Sequence, residues 1–129
     1  MTIAENFIRV KSSVPDNVKI CIVVKRRIAS DIKEVIEAGA KDIGINYIQE
    51  GLDFYKELGD LAKTVNWQLI GHLQTNKINK IIPFISSVQT IASYKQAEAL
   101  SKRLDYQLPV CIEINSACEE NKKGVPIDD

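Results

Sequence analysis

The sequence predicts a parallel α/β fold. Three observations carry that prediction. Five short apolar runs begin near residues 20, 42, 67, 87 and 109. Segments of helical period fill the intervals between them. The intervals suit crossover helices, the connection that parallel strands require.

The first strand is Ile20 to Val24, in "KICIVVKRR", and it runs straight into Lys25, Arg26 and Arg27. "SDIKEVIEAGA" follows as a helix. Ser30 is placed to cap it, Ile32, Val35 and Ile36 form its apolar stripe, and Gly39 ends it. A second strand, "KDIGIN", ends near Asn46. A long helix, "YIQEGLDFYKELGDLAKTV", carries Ile48, Leu52, Tyr55, Leu58 and Leu61 on one face. Strand three is Trp67 to His72, and a short helix, "TNKINKIIPFI", ends near Pro83. Strand four is Ser87 to Ile91, and Ser93 opens the helix "SYKQAEALSKRL". Strand five is Pro109 to Asn115. The polar remainder, "SACEENKKGVPIDD", reads as loop.

Two architectures answer to five βα repeats: an open doubly wound sheet and a (β/α) barrel. The 129 residues form one domain, 1–129, with no composition shift marking a second. Formal net charge is zero, so bulk electrostatics point to neither nucleic acid nor an anionic membrane. No apolar run approaches the roughly 20 residues needed to span a bilayer. "MTIAENFIRVKSS" lacks the basic and apolar regions of a signal peptide. The expected location is the cytoplasm. Cys21 and Cys111 lie in apolar runs and are expected to be buried, whereas Cys118 lies in polar surroundings. Their number and spacing fit neither a disulfide framework nor a zinc site. Dinucleotide-binding glycines, a P-loop and a serine-hydrolase elbow are all missing from the sequence.

Parallel α/β folds build their sites at the carboxyl ends of strands. Here those positions hold Lys25, Asn46, His72, Thr90 and Asn115. Each has a plain structural reading. A strand-end lysine snorkels along the rim, and a lone histidine is commonly capped or packed in a core. Asparagines at strand ends bond the turn backbone. The functional reading of Lys25 is an amine that attacks an aldehyde. Such an amine must be neutral, and desolvation or neighbouring cations promote loss of its proton. The same cations would equally attract an anion.

The segments "VVKRRI", "GINYIQE", "WQLIGHLQTNK", "QTIAS" and "IEINSACEENKKG" occur in the order and spacing of a known family. From Ile3 to Gly124 the chain resembles the pyridoxal phosphate homeostasis proteins, whose fold is that of the alanine racemase N-terminal domain. The resemblance implies a single-domain (β/α)8 barrel, TIM-barrel type, that binds pyridoxal 5′-phosphate. It implies an imine on the lysine ending the first strand, here Lys25. It places Asn46 near the cofactor ring, His72 at the same mouth, and Lys122 of the "ENKKG" loop as a secondary contact. It implies a cofactor carrier or regulator without established turnover. A racemase or decarboxylase would need a second acid/base group from a further domain.

The chain departs from the family pattern at several points. Val24 stands where the family has serine, Ile28 where it has proline, Ile45 where it has glutamate, and Ala92 where it has aspartate. Only about five of eight βα units are present, without the later loops that hold the phosphate. The expected barrel is therefore incomplete, with two open edges, an exposed apolar interior and weak, reversible cofactor binding. Association with a second copy, or with a partner chain that completes the barrel, is the expected remedy. The competing reading is an interaction subunit that has lost the cofactor.

Overall fold

The computed structural model describes residues 1–128. The chain opens with a helix that the strand-by-strand reading left out, α1 (Ile3–Ser12). Its signal is the spacing Thr2-x-x-Glu5. Thr2 Oγ1 accepts the Glu5 N–H at 3.1 Å, and Glu5 Oε2 accepts the Thr2 N–H at 2.8 Å. This reciprocal capping satisfies two donors that a helix start leaves free. The helix buries Phe7.

There follow β1 (Cys21–Val23), α2 (Ala29–Glu37), β2 (Asp42–Ile45), α3 (Ile48–Leu58) and β3 (Asn66–Leu69). Then come α4 (Ile78–Ile81), β4 (Ile85–Ile91), α5 (Tyr94–Ser101), β5 (Val110–Ile112), β6 (Ile114–Asn115) and β7 (Val125–Pro126). The first five strands form one parallel sheet in the order β1-β2-β3-β4-β5. A doubly wound sheet reverses its strand order at a switch point. Strictly sequential order, with right-handed crossovers, puts the helices on one side, as in a barrel. Among the described residues β5 does not pair with β1, so the sheet is not closed.

Two helical details differ from expectation. Ser30 lies inside α2; the N-cap is Ile28, which makes no side-chain cap bond. On α3 the buried positions are Ile48, Gly51 and Phe54, whereas Leu52, Tyr55 and Leu58 are half-buried; the helix stops at Leu58, and Leu61, also half-buried, lies in a 3-10 turn, Gly59–Thr64. The stripe is displaced because α3 meets β2 at a glycine. A Cβ on Gly51 would lie 2.2 Å from Ile45 Cδ1. Gly39, at φ +110°, ends α2 as expected, and Ser93 Oγ caps α5 by accepting the Gln96 N–H at 3.2 Å.

Alternation sorts the strand side chains. Ile43, Ile45, Trp67 and Leu69 are essentially inaccessible and form the core against the helices with Ile32, Ile78, Ile81 and Val88. Trp67 donates its indole N–H to the Ala62 carbonyl at 2.8 Å, so the buried ring leaves no orphan donor. The opposite face corrects the expectation of an apolar interior. Asp42 Oδ1 accepts from Asn66 Nδ2 at 3.2 Å and Gln68 Nε2 at 2.8 Å. Gln89 Nε2 in turn donates to Gln68 Oε1. A hydrogen-bonded polar row thus crosses three strands where bare aliphatic surface was expected.

The cysteines also correct the sequence reading. Cys111 is exposed and Cys21 only half-buried. In β5 all three residues are exposed, because no strand covers its far edge among the described residues. Burial, and secondarily the Asp42 carboxylate, push the Cys21 thiol above its ordinary pKa. A raised thiol pKa contributes stability that is present below the ordinary thiol range and is lost as pH rises through it. At pH 8, Ellman's reagent is expected to titrate Cys111 and Cys118 rapidly and Cys21 at least tenfold more slowly. Equal rates for all three thiols in the folded protein would contradict this arrangement.

The terminal segment is not plain loop. β6 and β7 pair in parallel, and Val125 N–H donates to the Glu113 carbonyl at 2.8 Å. The expected fifth strand is accordingly split at Glu113.

Candidate functional site

The carboxyl ends of β1, β2 and β3 lie side by side and are tied at the backbone. Val24 N–H donates to the Gly44 carbonyl at 3.2 Å, and Ile70 N–H donates to the Ile45 carbonyl at 2.9 Å. Each ladder therefore continues one residue past its strand. Lys25, Asn46 and His72 follow on three adjacent strands, which stand about 4.8 Å apart in a sheet.

The turn after β1 shows why three charges can follow a buried strand. Arg27 N–H closes the turn onto the Val24 carbonyl at 3.1 Å. Arg26 adopts φ +62°, a left-handed conformation unusual for a residue with a side chain. Its N–H donates to Glu50 Oε1 at 3.0 Å, which pins the turn to the first turn of α3. The Arg27 guanidinium lies 3.9 Å from Asp31 in an exposed pair. Lys25 is exposed at the apex and has no side-chain hydrogen bond or ion pair among the described residues. Arg26 and Arg27 are its neighbours of like charge in the chain.

Asn46 is half-buried, yet its Oδ1 is fully enclosed and has no hydrogen-bond partner among the described residues. An acceptor in that condition costs about 1–3 kcal/mol. The backbone of Gly71 packs directly upon the residue. A Cβ on Gly71 would sit 2.0 Å from the Asn46 carbonyl oxygen. The Gly71 carbonyl in turn accepts the Thr90 hydroxyl at 2.5 Å. Thr90 is thus committed to holding the ends of β3 and β4 together.

His72 is exposed, and its Nδ1 lies 3.4 Å from Gln96 Nε2. It borders a hollow of about 330 Å³ shared with Gln74, Thr75, Asn76, Ser93 and Lys95. A larger hollow, about 570 Å³, lies between α5 and β5. Its lining is mainly apolar, and Tyr106 is the one titratable group there.

Asn115 follows the structural reading. Its side chain accepts the Glu119 N–H at 3.2 Å and donates to the Glu119 carbonyl at 2.8 Å. Lys122 is exposed in the turn between β6 and β7, and none of the contacts joining the three strand ends reaches it. The structure therefore leaves Lys25, Asn46 and His72 available and commits Thr90 and Asn115 to the backbone. Sequence reasoning missed Gln96, a polar residue 6% exposed on the packed face of α5. Its only sequence signal is a glutamine three residues after a capping serine. It also accounts for Ala92, whose N–H donates to Gln96 Oε1 at 2.7 Å.

No cluster of histidine, cysteine or carboxylate side chains suited to a metal occurs among the described residues. No described helix is long and apolar enough to cross a membrane.

Sequential parallel strands backed by helices define an open sheet of the (β/α)-barrel class. The chain belongs to the alanine racemase N-terminal domain family, whose sequence profile matches residues 1–129. It is 33% identical to the pyridoxal phosphate homeostasis protein of Pseudomonas aeruginosa, covering 99% of this chain and 60% of that one. It is also 33% identical to the protein of the same name in Escherichia coli, covering 88% and 50% of the two chains. PipY of Synechococcus elongatus superimposes with a TM-score of 0.88 at 30% identity, over 96% of this chain and 59% of PipY. PipY has been solved both without and with pyridoxal phosphate bound. The chain thus spans 50–60% of the length of these relatives.

Proposed function

We propose that the chain binds pyridoxal 5′-phosphate at the carboxyl ends of β1, β2 and β3 and serves in holding that cofactor in the cytoplasm, as a carrier or regulator without turnover of its own. The observation that carries this is the orphaned Asn46 Oδ1 on the strand end next to the free Lys25 amine. The names of the relatives and the ligand of PipY support the same reading.

The donor set fits the group. When bound, pyridoxal phosphate supplies an aldehyde carbon at which an amine adds and water leaves. Lys25 Nζ is that amine. Asn46 Oδ1 offers a buried acceptor for a ring donor. His72 offers a ring nitrogen at the same mouth, whereas Lys122, in the turn between β6 and β7, would have to reach the cofactor from outside that mouth.

Titration of the purified chain with pyridoxal 5′-phosphate tests the proposal. An absorption band near that of a lysine adduct is expected, lost on dialysis and trapped by borohydride as one modified peptide containing Lys25. Modification scattered over exposed lysines would overturn the site.

The exposed edge of β5 supports a second element of the reading. Val110 and Ile112 are 47% and 66% exposed there. We infer that this edge pairs with a second copy of the chain when it is alone in solution. Sedimentation velocity is expected to show a dimer or larger species at tens of micromolar, and a stable folded monomer would overturn the inference.

A further inference from the structure

We propose that Gln96 is a positioning residue that fixes His72 as a hydrogen-bond donor at the carboxyl-end mouth. Its functional meaning rests on the reading of that mouth as a ligand site, but its geometry stands independently. Gln96 occupies the buried side of α5, where an amphipathic helix ordinarily places an aliphatic residue. A carboxamide so placed must have its polar atoms satisfied.

They meet three partners from two parts of the fold, the end of β4 and the loop after β3. Oε1 accepts the Ala92 N–H, at the end of β4, at 2.7 Å. Nε2 donates to the Leu73 carbonyl, in the loop after β3, at 3.0 Å. These two bonds settle which end of the amide is oxygen and which is nitrogen. The second amide hydrogen then faces His72 Nδ1 at 3.4 Å. An N–H in that place is met by a lone pair, so Nδ1 carries no proton and the neutral ring bears its hydrogen on Nε2. The nitrogen turned away from Gln96 is therefore a donor. Its natural complement is an oxygen of an anionic or carbonyl-bearing ligand.

His72 is the only histidine in the chain, so imidazole ¹⁵N–¹H correlation spectra report this one residue. The ligand-free protein at pH 8 is expected to show a single tautomer, with a pyridine-type Nδ1 and a protonated Nε2. Gln96→Glu presents only oxygen to Nδ1 and is expected to switch the ring to the Nδ1–H form. Gln96→Leu keeps the volume and removes the donor, and is expected to yield an averaged mixture. It preserves the test should the glutamate variant fail to fold. A wild-type ring protonated on Nδ1, or spectra identical in wild type and Gln96→Leu, would overturn the proposal. Because the measurement uses no cofactor, its failure is distinct from failure of the site reading, which borohydride mapping addresses.

Discussion

Lys25→Ala is expected to abolish the absorption band formed with pyridoxal 5′-phosphate and to remove the borohydride-trapped peptide altogether. The loss should be complete, because among the described residues Lys25 is the only primary amine within two residues of the carboxyl end of β1, β2 or β3. Arg26 and Arg27 are the nearest cations in sequence, but a guanidinium stays protonated and makes no such bond. Lys25→Arg therefore separates charge from chemistry. It is expected to retain electrostatic attraction for the anionic cofactor and still give no adduct. Folding should be indifferent to either change. Lys25 is exposed and makes no side-chain contact that the structure records, so a urea midpoint equivalent to within about 0.5 kcal/mol of wild type is expected. An undiminished band in Lys25→Ala would place the chemistry elsewhere.

Gly71→Ala is expected to damage both the fold and the site. The added carbon would lie 2.0 Å from the Asn46 carbonyl oxygen and 2.7 Å from its carbonyl carbon. Both obstacles are backbone atoms and cannot rotate away. Relief requires β3 to part from β2 at their carboxyl ends, which strains the Ile70 N–H to Ile45 carbonyl bond and the Thr90 bond to the Gly71 carbonyl. Overpacking ordinarily costs about 1–3 kcal/mol, and a site closed by main chain belongs at the upper end, about 3 kcal/mol. Gly51→Ala is the informative comparison. Its obstacle is the tip of the Ile45 side chain, which can change rotamer, so about 1 kcal/mol is expected there. Urea unfolding of both variants checks the order. Equal and small losses would show that the strand ends are looser than described.

The distinction between a backbone obstacle and a side-chain obstacle also explains what the sequence could reveal. Strand positions were legible where parallel strands read as apolar runs, as in "CIVV". The carboxyl-end positions of Lys25, Asn46 and His72 followed directly from those runs. The N-terminal helix is equally legible in the spacing of Thr2 and Glu5, which forms its reciprocal cap. The displaced stripe of α3 was not legible. It depends on how closely a helix approaches β2, and the residue that permits the approach, Gly51, has no side chain to signal it. Gln96 escaped for a related reason. A glutamine on a helix reads as solvent-facing until the carbonyl of Leu73 and the ring of His72 are seen beside it. The polar row from Asp42 to Gln89 likewise depends on register across three strands, which no local pattern encodes.

The sequential strand order bears on how the chain acquires its shape. In the five-stranded sheet every strand from β2 onward lies against the strand made just before it, so each finds its partner already formed as it leaves the ribosome. Assembly can proceed vectorially, one βα unit at a time, with contacts of modest sequence separation and small loop-closure cost. No strand has to wait for a distant complement. At every stage the growing structure presents one unfinished edge at its leading end, onto which the next unit can add. The order that sets each strand beside its predecessor is therefore also the order in which the sheet can be built.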